Sequence, residues 1–227
     1  MAVYNPLYTQ YLMDKCGVAW FKFDETESSQ VLDSKGRDSV ATINGTAVTT
    51  GVSGNAKSFN NNYIRFQGSV LPFGKKSIRL KIKTTQASSS LPHIFKNNVN
   101  NTSDSAGFYC LMNANGMISF ANRANNDAVS YASSSIPIND GQWHDILYTQ
   151  SGSSTDSEIK LYVDNMLTPV LTKKLGITES STAGQFILGG NLLSNTLYNA
   201  FVGQIDELEI YDDVINPIAE KFFIVCK

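Results

Sequence analysis

Residues 139–165, NDGQWHDILYTQSGSSTDSEIKLYVDN, decide the fold. They read as a hairpin of two long strands. Gln142 to Gln150 alternates, with Trp143, Ile146 and Tyr148 among its large residues. Glu158 to Val163 alternates again, with Ile159, Leu161 and Val163 on one side. The intervening SGSSTDS carries no apolar side chain and forms the tip. Asp140-Gly141 opens the first strand and Asp164-Asn165 closes the second, both pairs that tolerate the positive φ of a tight turn. Trp143 is expected in the core, where its mass would seed a sandwich.

Working outward, the same pattern recurs. Val18 to Phe23 is a strand with Val18 and Trp20 on one face and Ala19, Phe21 and Phe23 on the other. Lys57–Phe59, Tyr63–Phe66, Ile94–Lys96, Val129–Ala132, Gln185–Leu188 and Phe201–Tyr211 read as further strands. Phe108–Met112 and Met117–Ala121 pair across the turn Asn113–Gly116. In Ser77 to Thr85, Ile78, Leu80 and Ile82 point inward, while Arg79, Lys81 and Lys83 read as a solvated face. Ala41 to Val48, broken at Asn44-Gly45, is a short strand or turn. SNTLYNA (194–200) reads as a hydrophilic loop tip, and Ile218 to Val225 as a helix or last strand. Leu7, Tyr11 and Leu12 share one face of a short helix after Pro6. About a dozen short strands separated by Gly and Asn turns, with almost no helical period, predict an all-β antiparallel jelly-roll sandwich of two curved sheets. Residues 1–16 form a lead-in and 17–227 one domain.

Bulk composition narrows the function. A 42% hydrophobic content suffices for a core, while 17% charged residues and a net charge of −2 leave a surface of Ser, Thr, Asn and Gln that does not attract nucleic acid. No apolar run approaches the ~18 residues of a membrane span, so no membrane insertion is expected. The N-terminus lacks a basic start followed by an apolar block, so no signal peptide is visible. The three cysteines, Cys16, Cys110 and Cys226, are odd in number and far apart, which argues for reduced thiols, with a Cys16–Cys226 bridge left open.

Five stretches then stand out together: VAWFKFDETESSQVLDSKG (18–36), GVSGNAKSFNNNYIRF (51–66), DGQWHDILYT (140–149), KLYVDN (160–165) and FVGQIDELEIYDDVINP (201–217). In that order they resemble the laminin-G-like, concanavalin A-like lectin domains. One departure is Asn165, where that family usually has Gly; Asn can take the left-handed conformation. The family occurs in secreted bacterial proteins, adhesins and bacteriophage tail or fibre proteins, and YTQYLMDKCGV (8–18) looks like the helical lead-in of the tail versions. The resemblance implies a virion protein or, alternatively, a secreted or cell-surface one. It also implies a frequent calcium site, for which Asp24 and Asp206 match, with Asp33 and Glu25 as helpers; hard cations take such oxygens.

The catalytic possibilities are weak. Gln204-Ile-Asp206-Glu-Leu-Glu209 resembles the glutamate–x–aspartate–x–x–glutamate strand of laminarinase-type hydrolases, but Gln204 stands at the nucleophile position and cannot form the covalent intermediate. His93 and His144 are the only histidines and do not pair as a zinc site would require. No enzyme is expected. The loops suit a sugar better, because Asn amides both donate and accept. Asn97, Asn98, Asn100 and Asn101 lie in one loop; Asn122, Arg123, Asn125, Asn126 and Asp127 lie in another, close to Tyr131. The reading is a non-catalytic module that binds a glycan or cell-surface polysaccharide. The alternative is an assembly domain that packs on other virion proteins or on itself; a divergent glycoside hydrolase comes third.

Overall fold

The computed structural model describes residues 5–36, 40–68, 70–98, 107–124, 128–180 and 184–217. Helix α1 (Pro6–Cys16) leads into β1 (Gly17–Phe21), followed by β2 (Val40–Asn44), β3 (Ala47–Thr50), β4 (Asn55–Asn60) and β5 (Tyr63–Phe66). Then come β6 (Lys76–Lys83), β7 (His93–Asn98), β8 (Gly107–Met112), β9 (Met117–Arg123) and β10 (Val129–Pro137). The hairpin of the opening stretch is β11 (Trp143–Gln150) and β12 (Glu158–Val163). The last elements are β13 (Leu171–Lys174), β14 (Gln185–Leu188), β15 (Asn191–Leu193), β16 (Thr196–Tyr198) and β17 (Val202–Tyr211).

Two large antiparallel sheets face each other. One runs β13-β12-β11-β6-β17-β4-β3, with β1 paired to the far half of β17. The other runs β10-β9-β8-β7-β14-β5-β2. Non-sequential neighbours within each sheet give the jelly-roll crossovers expected from the strand pattern. Between the sheets lies a core rich in rings: Phe95 sits 5.2 Å from Phe186 and 5.9 Å from Phe120, and Phe120 stacks on Tyr148 at 4.8 Å between centroids. Such pairs add about 0.5–1.5 kcal/mol each beyond the apolar area that they bury.

The hairpin forms as expected, with Ile146 opposite Val163 and Gln150 opposite Ile159. Gly141 opens it at φ 79°. At its closing turn the left-handed residue is Asp164 (φ 57°), not Asn165. Asp164 is useful there because its Oδ1 accepts the Asp145 N–H at 2.9 Å and its Oδ2 lies 2.8 Å from His144 Nδ1. Two other expectations are corrected. Trp143 is half-buried and outside the core, because it shares its face with Asp145 and Leu147 rather than with Ile146 and Tyr148. The buried tryptophan is Trp20, whose Nε1 donates to Glu207 Oε2 at 2.7 Å. SNTLYNA is not only a loop tip: it supplies β16, which pairs with β15. The 218–225 segment lies outside the described residues.

Helix α1 forms because Asn5 caps it, its Oδ1 accepting the Tyr8 N–H at 3.2 Å, and Pro6 starts it without losing a hydrogen bond. It ends at Gly17, where a Cβ would fall 2.5 Å from Met13 Sδ. Tyr8, Leu12 and Met13 pack against Trp20, Leu147, Tyr162 and Tyr211 on the outer face of the larger sheet. Cys16 is a free, half-buried thiol at the helix end and Cys110 a free, buried one; Cys226 lies outside the described residues.

Candidate functional site

The helix-covered face holds one end of the carboxylate motif. Arg79 and Lys81, expected to be solvated, are buried there. Arg79 Nε and Nη2 meet the two oxygens of Asp145 at 3.0 and 2.6 Å, and Lys81 Nζ lies 2.6 Å from Asp145 Oδ2. Burial works against the Asp145 carboxylate, but Lys81 and Arg79 outweigh it and hold its pKa at about 2. Glu209 is fully buried beside them. Its Oε1 accepts from Thr9 Oγ1 of α1 at 3.3 Å and its Oε2 from Tyr211 OH at 2.7 Å. Burial pushes its pKa up to about 7, against the pull of Arg79 and Lys81. A bulge in β17 between Asp206 and Glu209, with Glu207 at φ 50°, places these acids. Glu209 sits in the charge network under α1, Asp206 faces the 51–55 turn, and Gln204 stands at the position of the nucleophile. His144 faces Asp164 Oδ2 and Asp140 Oδ1 with its two ring nitrogens at 2.8 and 2.9 Å, a setting that favours the protonated ring. The bond to Asp164 is the largest reason that its pKa is raised.

Two of the expected calcium ligands converge. Asp206 is buried; its Oδ2 accepts the Val52 and Ser53 N–H groups at 2.7 and 3.3 Å, and its Oδ1 has no hydrogen-bond partner among the described residues. Asp24 Oδ1 accepts the Asn55 N–H at 3.1 Å, so both acids grip the 51–55 turn. Burial raises the Asp206 pKa to about 7, and the Asp24 charge adds to the rise. Asp33 is used elsewhere, its Oδ1 accepting from Trp20 N and Lys35 N at 3.0 and 2.9 Å. Glu25 Oε1 accepts the Leu32 N–H at 2.7 Å. Among the described residues no three acidic, His or Cys side chains cluster as a metal group.

The open face belongs to the smaller sheet. Tyr131 on β10, Ala121 on β9, Tyr109 on β8, Lys96 on β7, Ile187 on β14 and Arg65 on β5 lie in one cross-strand row. Tyr131 is 48% exposed, whereas Tyr109 is nearly covered. Ala121, the residue between them, is small, so the two rings flank a trough and their hydroxyls meet across it at 3.4 Å. Leu111 and Val129 extend the apolar floor. Lys173 Nζ fixes the outer strand by donating to Tyr131 O at 3.0 Å and Ser130 Oγ at 3.2 Å. The His93 ring lies 5.5 Å from Tyr109. Burial and then Lys96 lower its pKa to about 4, so it is neutral at pH 7. Burial raises the Tyr109 pKa, and the bond to Tyr131 adds to this, so the phenol keeps its proton.

The expected sugar residues divide. Tyr131 is exposed in this row, and Arg123 lies on the same face near Tyr109. Asn97 is buried at an inward position opposite Phe108 and Phe186. Asn122 is also inside: its Nδ2 donates to Tyr148 OH and Gln150 Oε1 at 3.1 and 3.2 Å. Neither reaches the outer face. Asn98 is the last residue of β7; Asn100, Asn101, Asn125, Asn126 and Asp127 lie outside the described residues. Tyr109, Lys96 and His93 were not anticipated. FYCLM is a continuous apolar run, and only its pairing with β9, itself paired to the alternating β10, reveals which residues face out.

A family profile described as concanavalin A-like lectin/glucanases superfamily, Laminin_G_3, matches residues 58–218, well over half of the chain. The chain belongs to the concanavalin A-like lectin/glucanases superfamily. No curated protein sequence matches it. Among solved structures, the superfamily fold recurs in the binding domain of Paraclostridial Mosquitocidal Protein 1, with 16% identity, a TM-score of 0.69, and coverage of 93% of this chain and 52% of that one. The Botulinum Neurotoxin Type G receptor binding domain gives 13% identity, a TM-score of 0.66, and coverage of 92% and 50%. The chain thus spans about half the length of these toxin domains. Domain 4 of AbnA, a GH43 extracellular arabinanase from Geobacillus stearothermophilus solved with arabinotriose, is similar over 91% of this chain and 97% of that domain, with 19% identity and a TM-score of 0.64. At such identities the likeness is one of fold. Among the described residues, no helix of this superfamily member is long and apolar enough to cross a membrane.

Proposed function

We propose that this chain is a non-catalytic module that binds a glycan or cell-surface polysaccharide on the outer face of the smaller sheet. One observation carries the reading: the exposed Tyr131 faces Tyr109 across the trough over Ala121. A sugar ring presents an apolar face to an aromatic ring and hydroxyls to its rim, and this row offers two phenols, with Arg123 alongside for the hydroxyls. Domain 4 of AbnA, which has the same fold and was solved with arabinotriose, supports the class of ligand. The glycan context fits a phage tail or fibre, or a secreted or cell-surface bacterial protein. Mass spectrometry of purified virions tests the first placement. A glycan array probed with wild type and Tyr131→Ala tests the binding. The expected result is a wild-type hit whose affinity falls tenfold or more in the variant; equal binding by both refutes the site.

A structural cation is part of the same proposal. The unpartnered Asp206 Oδ1 beside Asp24 fits a hard cation, which takes carboxylate and backbone oxygens. Asp24 and Asp206 would hold calcium, and the ion would neutralise their repulsion and tie the 51–55 turn to β17.

An assembly role has its own observation. A 640 Å³ cleft between α1 and residues 213–216 is lined in part by exposed Tyr11 and Val214, and Leu7, one turn before Tyr11 on α1, is also exposed. Light scattering that gives a stable oligomer, dissociated by Leu7→Asp, would favour that reading.

A further inference from the structure

Three cations of β6 point outward, and all but the last are matched. Arg79 and Lys81 both pair with Asp145. Lys83 has no ion-pair or hydrogen-bond partner among the described residues and is half-exposed. It sits in a second cross-strand row, on the outer face of the larger sheet beyond the end of the buried network. In that row Trp143 pairs with Lys83, Lys83 with Gln204, and Gln204 with Ser58. Directly opposed residues of an antiparallel pair place their side chains side by side on one face, about 4.5–5.5 Å apart at Cβ. The row therefore sets an indole, an ammonium, a primary amide and a hydroxyl next to one another.

A 340 Å³ cleft opens over this row, lined by Lys83, Gln204, Ser58, Asn60, Thr85 and Gly141. Its walls are held in place: Thr84 Oγ1 donates to Val202 O at 2.6 Å, and Gly141 N donates to Thr84 O at 2.9 Å. Gln204 Nε2 reaches Thr49 Oγ1 only at 3.5 Å, which leaves its amide able to turn to a ligand. Trp143 is half-exposed beside the cleft. The buried charges nearby do not neutralise Lys83, since Asp145 already serves two cations and Asp140 faces His144.

We propose that this cleft is a second saccharide site, specific for a sugar that carries a carboxylate. Lys83 would bind the acid group, Gln204, Ser58 and Asn60 the hydroxyls, and Trp143 the apolar face of the ring. This site is on the opposite sheet from the tyrosine trough, so it stands or falls independently of it. It gives a use to Gln204 and Trp143, the first of which lacks the carboxyl for catalysis and the second of which is not core.

The test titrates the full chain with an oligogalacturonate and, separately, with its methyl ester, reading tryptophan fluorescence. Trp20 is buried and hydrogen-bonded to Glu207, so a change reports Trp143. Wild type is expected to respond to the acid and at least tenfold more weakly to the ester. Lys83→Gln, a change at a half-exposed position, is expected to remove that preference, with added salt acting in the same direction. Trp143→Phe is expected to abolish the fluorescence change, and Tyr131→Ala to leave acid binding unaltered. Equal response to acid and ester, no response to either, or acid binding unchanged in Lys83→Gln overturns the proposal. Loss of acid binding in Tyr131→Ala places it in the tyrosine trough and overturns it equally.

Discussion

Asp145→Asn is the sharpest perturbation of the fold. The carboxylate takes Arg79 in a two-pronged contact at 3.0 and 2.6 Å and Lys81 at 2.6 Å, all within a buried layer. Its pKa stands at about 2 against an ordinary 3.8. At 1.36 kcal/mol per unit, the difference amounts to about 2 kcal/mol of stability. Because the folded pKa is the lower one, that stability is present above the unfolded value and is lost as pH falls through about 2. The amide costs more than this at neutral pH. It keeps the shape but removes the carboxylate that both buried cations contact, and breaking a buried pair on one side costs about 3–5 kcal/mol. Urea unfolding at pH 7, followed by tryptophan fluorescence, measures it. The expected result is a lower midpoint at unchanged slope and a loss of at least 3 kcal/mol. The combined replacement Arg79→Met, Lys81→Met and Asp145→Leu is expected to recover most of that loss, since a well-packed apolar set often matches a buried ion network. A loss below 1 kcal/mol for Asp145→Asn would refute the claim that this layer is dry and charge-balanced.

The same layer gives a pH dependence. Glu209 has a folded pKa of about 7, above its ordinary 4.5, so the stability tied to its proton is full below pH 4.5 and lost as pH rises to 7; His144, also raised, acts in the same direction. Urea midpoints measured in chelator are expected to fall between pH 5 and 7.5, and Glu209→Gln is expected to flatten the fall; a rising wild-type curve contradicts this. Calcium at millimolar concentration is expected to raise the melting temperature by several degrees, and Asp206→Asn to remove the rise; identical melting in calcium and chelator rejects Asp24 and Asp206 as ligands. Met13→Ala, which empties a fully buried position between α1 and the larger sheet, is expected to cost about 2–3 kcal/mol in urea unfolding. A neutral result would mean that the helix does not dock.

Short-range features were legible in the sequence. The β11–β12 hairpin, the inward set Ile78, Leu80 and Ile82, the helix after Pro6 and the turn at Asn113–Gly116 all follow from alternation and turn chemistry, and all are present. Long-range cover was not legible. Arg79 and Lys81 alternate as an exposed face should, and nothing local says that α1, more than 60 residues earlier, lies over that face. Trp143 was legible in principle, since its parity in the strand opposes that of Ile146 and Tyr148; size suggested core where position did not. At the glycan face, the exposure of Tyr131 follows from the polar alternation of β10. Asn122 went the other way because it continues the inward series of Ile118 and Phe120, so an amide entered the core and found Tyr148 and Gln150 there.

The most direct measurement is amide chemical-shift mapping during titration with the best glycan from the array. A neutral ligand, without the carboxylate that the second cleft would take, seated across Tyr131, Ala121 and Tyr109 is expected to shift the amides of β8, β9 and β10 while β4 and β17 stay still. Saturable shifts confined to the α1 side, or none at millimolar glycan, would contradict the tyrosine trough as the binding face.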